Sequence, residues 1–133
     1  MSTLLRNCKE HNGPVVLAVK TSKGSLVGAF ASEPWTPHLG HFGTGECFLF
    51  HQPQDERDSI VAFNTTGEND YYLFCDGTFV AMGVSEGKFG LWVDAELMNG
   101  ASSAVATFAN PPLAVEGENF TIDSVEVWGL SPP

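Results

Sequence analysis

The sequence predicts an all-β fold: two antiparallel sheets packed as a β-sandwich, with little helix. Three observations lead there. Fourteen glycines and eight prolines cut a 133-residue chain into short segments. Those segments are rich in Val, Phe and Trp, the residues that suit a pleated, half-buried surface. Turn signals recur about every 8–12 residues, while almost nothing shows the longer period of an amphipathic helix. The length allows one domain, residues 1–133, with a single core and no need of disulfide staples.

The elements follow in order. Residues 2–10 read as a short helix capped by Ser2 or Thr3, with Leu4, Leu5 and Cys8 on one side, ended by Asn12-Gly13-Pro14. Pro14 to Lys20 is a β-branched run expected to be a strand buried on both faces, and Leu26 to Ala31 returns after the turn Ser22-Lys23-Gly24. Glu33 to Gly45 contains Pro34, Pro37, Gly40 and Gly43 and reads as a long loop. Strands are expected near 46–51, 59–63, 70–75 and 78–82. The last two are joined at Asp76-Gly77, a pair that suits a type I′ hairpin. Phe89 to Asp94 is a further strand, Ala95 to Met98 at most a helical turn, and Asn99 to Pro112 a loop. Phe120 to Trp128 closes the chain. In that last strand Phe120 and Ile122 share one parity and Val125 and Val127 the other. A bulge near Asp123-Ser124 restores a single apolar face.

Composition narrows the function. Sixteen acidic and six basic residues give a formal charge of −10. Phosphate backbones are bound by clustered Lys and Arg, so nucleic acid and anionic membranes are poor partners; the acidity either keeps the protein soluble or suits a basic protein partner. No apolar run reaches the roughly 18–20 residues of a membrane span, and the first residues lack a secretory h-region. The chain therefore reads as soluble and cytoplasmic. Cys8, Cys47 and Cys75 are odd in number and lack Cys-x-x-Cys spacing. Cys47 and Cys75 sit in apolar runs, where a thiol behaves as a small buried hydrophobe. The sequons Asn64-Thr65-Thr66 and Asn119-Phe120-Thr121 read as chance without a secretory signal.

The densest information lies in His41-Phe42-Gly43-Thr44-Gly45-Glu46-Cys47-Phe48-Leu49-Phe50, a polar glycine-rich corner opening onto a core strand. This stretch resembles the signature of the TLDc domain. Five further pieces agree in order: Val27-Gly28-Ala29-Phe30 with Trp35 after it, Gly67 to Tyr72, Phe89 to Asp94, Thr107-Phe108-Ala109-Asn110 and Val125 to Gly129. The resemblance covers most of the chain and implies two packed antiparallel sheets with short helices. It also implies a non-catalytic interaction domain, linked to oxidative-stress protection and to binding the vacuolar-type proton-pumping ATPase, whose assembly and activity such proteins influence. It implies recruitment to vacuolar or lysosomal membranes through that partner. TLDc domains usually start with a further helix and strand, so the chain reads as N-terminally short.

The expected contact surface is the loop from Glu33 to Glu46, with Trp35, Gly43, Thr44, Gly45 and Glu46 as the partner-binding residues. Trp35, between Pro34 and Pro37, suits either an interface anchor or a lid. Glu46 either accepts backbone hydrogen bonds from its own loop or is displayed to a partner's Lys or Arg. Asp94 and Glu126 pose the same question. The alternative reading is a redox-active or hydrolytic protein using Cys47 or Cys75. Neighbouring residues of a strand point to opposite faces, so Glu46 cannot orient a base serving Cys47. His38, His41, Glu46, Cys47 and His51 could in principle ligate zinc, but lack a second spaced pair, and the TLDc motif retains its Gly-Thr-Gly-Glu core without the histidines. Neither metal nor cofactor is expected. Gly83 to Lys88 is loosely like a phosphate loop but lacks its spacing and following helix.

Overall fold

A computed structural model describes residues 13–37, 39–53 and 59–129. Within them lie nine strands: β1 (Val15–Thr21), β2 (Leu26–Ala31), β3 (Phe48–His51), β4 (Val61–Asn64), β5 (Leu73–Cys75), β6 (Phe79–Ser85), β7 (Lys88–Asp94), β8 (Asn99–Ala101) and β9 (Asn119–Gly129). They form one antiparallel sheet in the order β4-β3-β2-β1-β9-β8-β7-β6-β5. The described residues thus hold a single sheet and no helix, in place of the two sheets and short flanking helices expected. The predicted helix at 2–10 lies outside the described residues, and 95–98 is a turn in which the Leu97 amide donates to the Asp94 carbonyl.

The sheet is continuous because β9 is long enough to pair twice. Its Asn119–Thr121 end pairs with β8, and the remainder pairs with β1. Between the two, Lys20 faces Ser124 and Thr21 faces Ile122, so Asp123 is the extra residue of a bulge. The phase change in the sequence has this cause: one inserted residue returns Val125 and Val127 to the core side used by Phe120 and Ile122.

Both halves feed one core. Val15, Leu17 and Val19 of β1 are buried, but Val16, Ala18 and Lys20 are not, so this strand is buried on one face rather than two. Leu49 of β3 lies against Gly90 of β7, where a Cβ would stand 2.8 Å from the Leu49 Cδ1. Phe108, in the loop after β8, fills the space beneath Gly83. Burying each such Val, Leu or Phe contributes about 1.5–3 kcal/mol.

One hairpin differs from expectation in its turn. At 76–78 only Gly77 has positive φ, and the Asp76 carboxylate accepts the Thr78 amide at 2.9 Å and its hydroxyl at 2.6 Å. That is an Asx-type turn, since Asp76 stays out of the left-handed region. The pair with both residues left-handed is Glu86-Gly87, at φ 53° and 78°, joining β6 to β7. The Gly83–Lys88 segment is therefore hairpin, not phosphate loop.

Candidate functional site

The Gly-Thr-Gly corner sits where the chain enters β3, and three neighbouring segments clamp it. Phe42 and Leu73 exchange backbone hydrogen bonds of 3.0 and 2.9 Å. The Ser32 hydroxyl, at the end of β2, accepts the Thr44 amide at 2.9 Å. The Thr65 hydroxyl donates to the Gly45 carbonyl at 3.0 Å. Within the loop the Thr44 hydroxyl accepts the Glu46 amide at 3.3 Å, and the Cys47 amide closes the turn on the Thr44 carbonyl at 3.2 Å.

Gly43 is obligatory for two reasons. Its φ is +91°, and a Cβ there would stand 2.8 Å from both Cγ and Cδ1 of Leu73, a fully buried side chain. The sequence shows the first Gly of the motif but not its reason, which is the packing of β5 beneath it.

Glu46 is exposed, and among the described residues its carboxylate accepts no hydrogen bond. The loop is tied down by Ser32, Thr44 and Thr65 instead. The Glu46 carboxylate takes no part in that hydrogen bonding among the described residues. Three more exposed acids border the corner: Glu33 beside Ser32, Glu68 beyond Thr66, and Asp70, whose carboxylate lies 3.5 Å from His41 Nε2. Asn69 fixes that strip from below. Its Oδ1 accepts the Tyr71 amide and the Thr107 hydroxyl, and its Nδ2 donates to the Val84 carbonyl. Within the described residues Lys20 and Lys23 stand at the far end of the β2–β3 hairpin, and Lys88 pairs with Glu118 at 3.3 Å. The corner is thus held by hydrogen bonds from neighbouring segments and carries exposed acids.

Trp35 corrects an expectation. It is 1% exposed, and its Nε1–H donates to the Ala81 carbonyl at 3.1 Å. It is a lid sewn into the core, not a surface anchor. The loop's exposed apolar residue is Leu39, at 98%. Sequence reasoning overlooked it, together with Ser32, Asp70 and Leu73. Only Leu39 carried a signal, an aliphatic residue among His38, Gly40 and two prolines.

The thiols are interior. Cys47 is 1% exposed and its Sγ lies 3.5 Å from the Ser32 hydroxyl, which also makes it part of the clamp. Cys75 is 3% exposed; burial pushes its thiol up, and the neighbouring Asp76 charge adds to this against a backbone hydrogen bond from Gly77. Neither is placed as an exposed thiolate. His51 Nδ1 meets the Leu113 carbonyl at 3.0 Å, so that nitrogen carries the proton. His41 stacks edge-on against Tyr71. Among the described residues no three His, Cys, Asp or Glu side chains converge as metal ligands, and His38 lies outside them. Asp94 is structural, accepting the Met98 and Asn99 amides at 2.9 and 3.2 Å, whereas Glu126 is exposed on the outer face of β9. No helix among the described residues is long and apolar enough to cross a membrane.

Comparison with known proteins matches this arrangement to a family. The family model of the TLDc domain matches residues 1–131. The chain belongs to the TLDc family. It is 40% identical to oxidation resistance protein 1 of Yarrowia lipolytica over 116 residues, covering 85% of this chain and 48% of that protein. It is 32% identical to the protein of the same name from Podospora anserina, over 96% of this chain and 49% of that protein. Nuclear receptor coactivator 7 of Gallus gallus is 36% identical over 96% of this chain and 14% of its own length. The chain spans about half the length of the fungal relatives it matches.

Proposed function

We propose that this TLDc domain is a non-catalytic protein-interaction module that serves oxidative-stress protection and binds the vacuolar-type proton-pumping ATPase through a basic surface of that pump. The carrying observation is the corner itself. Backbone and hydroxyl hydrogen bonds use Gly43, Thr44 and Gly45 to hold Glu46 outward, with Glu33, Glu68 and Asp70 around it. A clamped scaffold that displays exposed carboxylates, Asp70 beside His41 and Glu46 accepting no hydrogen bond among the described residues, suits recognition of Lys and Arg, because little side-chain or loop order remains to be lost on binding. The relatives named oxidation resistance protein 1 support the protective role. The pump as partner rests on the family resemblance, and a cytoplasmic protein would meet it at the vacuolar or lysosomal membrane. The buried positions of Cys47 and Cys75 favour structural thiols over a reactive site.

The test is capture of pump subunits on the immobilised domain from cytosol and vacuolar membranes, across a salt series. The reading expects recovery at low salt that falls as salt rises past about 0.15 M, where charges are screened beyond about 8 Å. Triple replacement Glu46→Gln, Glu68→Gln, Asp70→Asn should slow association about tenfold. Repeated failure of the wild-type domain to recover any pump subunit would refute it.

A further inference from the structure

The end of the β2–β3 hairpin opposite the acidic corner holds a second feature, of opposite sign. A cavity of about 710 Å³ opens between the β1–β2 turn, the residues after β3, and the segment 112–115. That volume lies within the roughly 300–1,000 Å³ of small-molecule sites. Its polar wall carries Lys20 and Lys23, two of the six Lys and Arg in the chain, and His51. Its apolar wall is Leu26, Leu113 and Val115, the last of these 52% exposed. No carboxylate lines it among the described residues. The adjoining acid, Glu116, accepts the Ser25 hydroxyl on Oε1 at 2.7 Å, while its Oε2 is buried with no hydrogen-bond partner among the described residues. Lys20 and Lys23 are thus the charged side chains among the described lining residues, apart from His51, in a chain of formal charge −10.

We propose that this cavity binds a small organic anion, a carboxylate or phosphate head on a short apolar body. Lys20 and Lys23 take the head by charge-assisted hydrogen bonds. Because the His51 Nδ1–H is held by the Leu113 carbonyl, Nε2 is the nitrogen left for a ligand. Leu26, Leu113 and Val115 cover the apolar body. This site is independent of the acidic corner and of its partner.

The test is an amide-shift titration of the full chain with octanoate, inorganic phosphate and 1-octanol, which separate head plus body, head alone and body alone. Octyl phosphate in a fourth arm distinguishes a phosphate from a carboxylate head. Saturable shifts at residues 23–26, 52 and 113–115 with octanoate or octyl phosphate, and none at 43–46, are expected. Phosphate and octanol should bind at least about tenfold more weakly. Lys20→Gln with Lys23→Gln should weaken the amphiphile about tenfold while the melting curve stays in place. Absence of saturable shifts at these residues overturns the proposal, as does an affinity unchanged by the double replacement. Octanol binding as tightly as octanoate also overturns it, because the site would then recognise only apolar surface.

Discussion

Replacing Gly43 by alanine isolates the conformational demand of the corner. At φ +91° an L-residue costs about 1–2 kcal/mol relative to glycine. The new Cβ also meets Leu73 at 2.8 Å, and Leu73 is 0% exposed in a filled core, so it cannot swing away. Overpacking of this kind costs about 1–3 kcal/mol. The sum is about 2–5 kcal/mol. For 133 residues the unfolding entropy is about 0.28 kcal/mol/K, so each kcal/mol moves the midpoint by about 3.5 °C. Gly43→Ala should therefore melt about 7–18 °C below wild type. Two neighbouring glycines supply controls. Gly40 has φ +77° and open space around its Cβ position, so Gly40→Ala should lose only the conformational part, about 4–7 °C. A Cβ on Gly45 meets Tyr72 Oη at 3.5 Å, ordinary contact without a left-handed φ, so Gly45→Ala should move the midpoint by less than about 3 °C. Thermal unfolding followed by circular dichroism reads all three. A Gly43→Ala midpoint no lower than that of Gly40→Ala would show that the Leu73 contact yields, and the packing argument for the clamp would fall with it.

Glu46→Gln should leave the melting midpoint within about 2 °C of wild type, because an exposed carboxylate that accepts no hydrogen bond contributes little to stability; a drop of 5 °C or more would return Glu46 to a loop-tying role. Trp35→Phe removes the buried hydrogen bond from Nε1–H to the Ala81 carbonyl, at about 0.5–1.5 kcal/mol, and should lower the midpoint by about 2–5 °C; an unchanged midpoint would mean the hydrogen bond is dispensable. The pH dependence has a definite sign on the alkaline side. The folded pKa of Cys75 is raised by burial, so its contribution to stability is whole below the unfolded thiol pKa and is lost as pH rises through the folded value. Cys75→Ala should flatten the fall in stability above about pH 8.5, and a fall of the same steepness in that variant would assign it elsewhere.

What the sequence disclosed and what it concealed divide along physical lines. Side-chain parity is local, so the bulge at Asp123 could be read from Phe120, Ile122, Val125 and Val127 alone, and strand β2 fell at Leu26–Ala31 as expected. The three-residue strand β8 left no trace because Asn99, Gly100 and Ala101 have no β propensity; it forms by pairing β7 to β9. The turn types were exchanged for a similar reason. Asp76-Gly77 has the composition of a type I′ turn, yet the carboxylate of Asp76 finds Thr78, and the left-handed pair falls at Glu86-Gly87 because pairing of Ser85 with Lys88 requires it there. The prolines around Trp35 leave anchor and lid equally open, whereas its position depends on Ala81, forty-six residues later. Gly-Thr-Gly-Glu was legible as a motif; the residues that clamp it, Ser32, Thr65 and Leu73, lie on other segments and were not.

The distribution of charge, more than its total, decides how such a domain meets a partner. A uniform charge of −10 would speed encounter with any basic surface in any orientation. Here the exposed acids Glu33, Glu46, Glu68 and Asp70 border the entry to β3, while Lys20 and Lys23 stand beyond its exit. From Cys47 to Gln52 the chain runs five extended steps, about 17 Å. That is about two screening lengths at physiological salt, so neither end weakens the field of the other. Among the described side chains, a basic surface meets Lys20 and Lys23 at the far turn and exposed carboxylates at the corner. Orientation is then selected before contact, by charges held on a clamped loop at one end of a hairpin and a turn at the other. Removing one lysine from the far turn together with one acid from the corner tests this without changing net charge. Lys23→Gln combined with Glu68→Gln removes one charge of each sign, and association should slow at low salt although the total stays at −10. Association at an unchanged rate would mean that total charge governs encounter and that the asymmetry of the hairpin is without consequence.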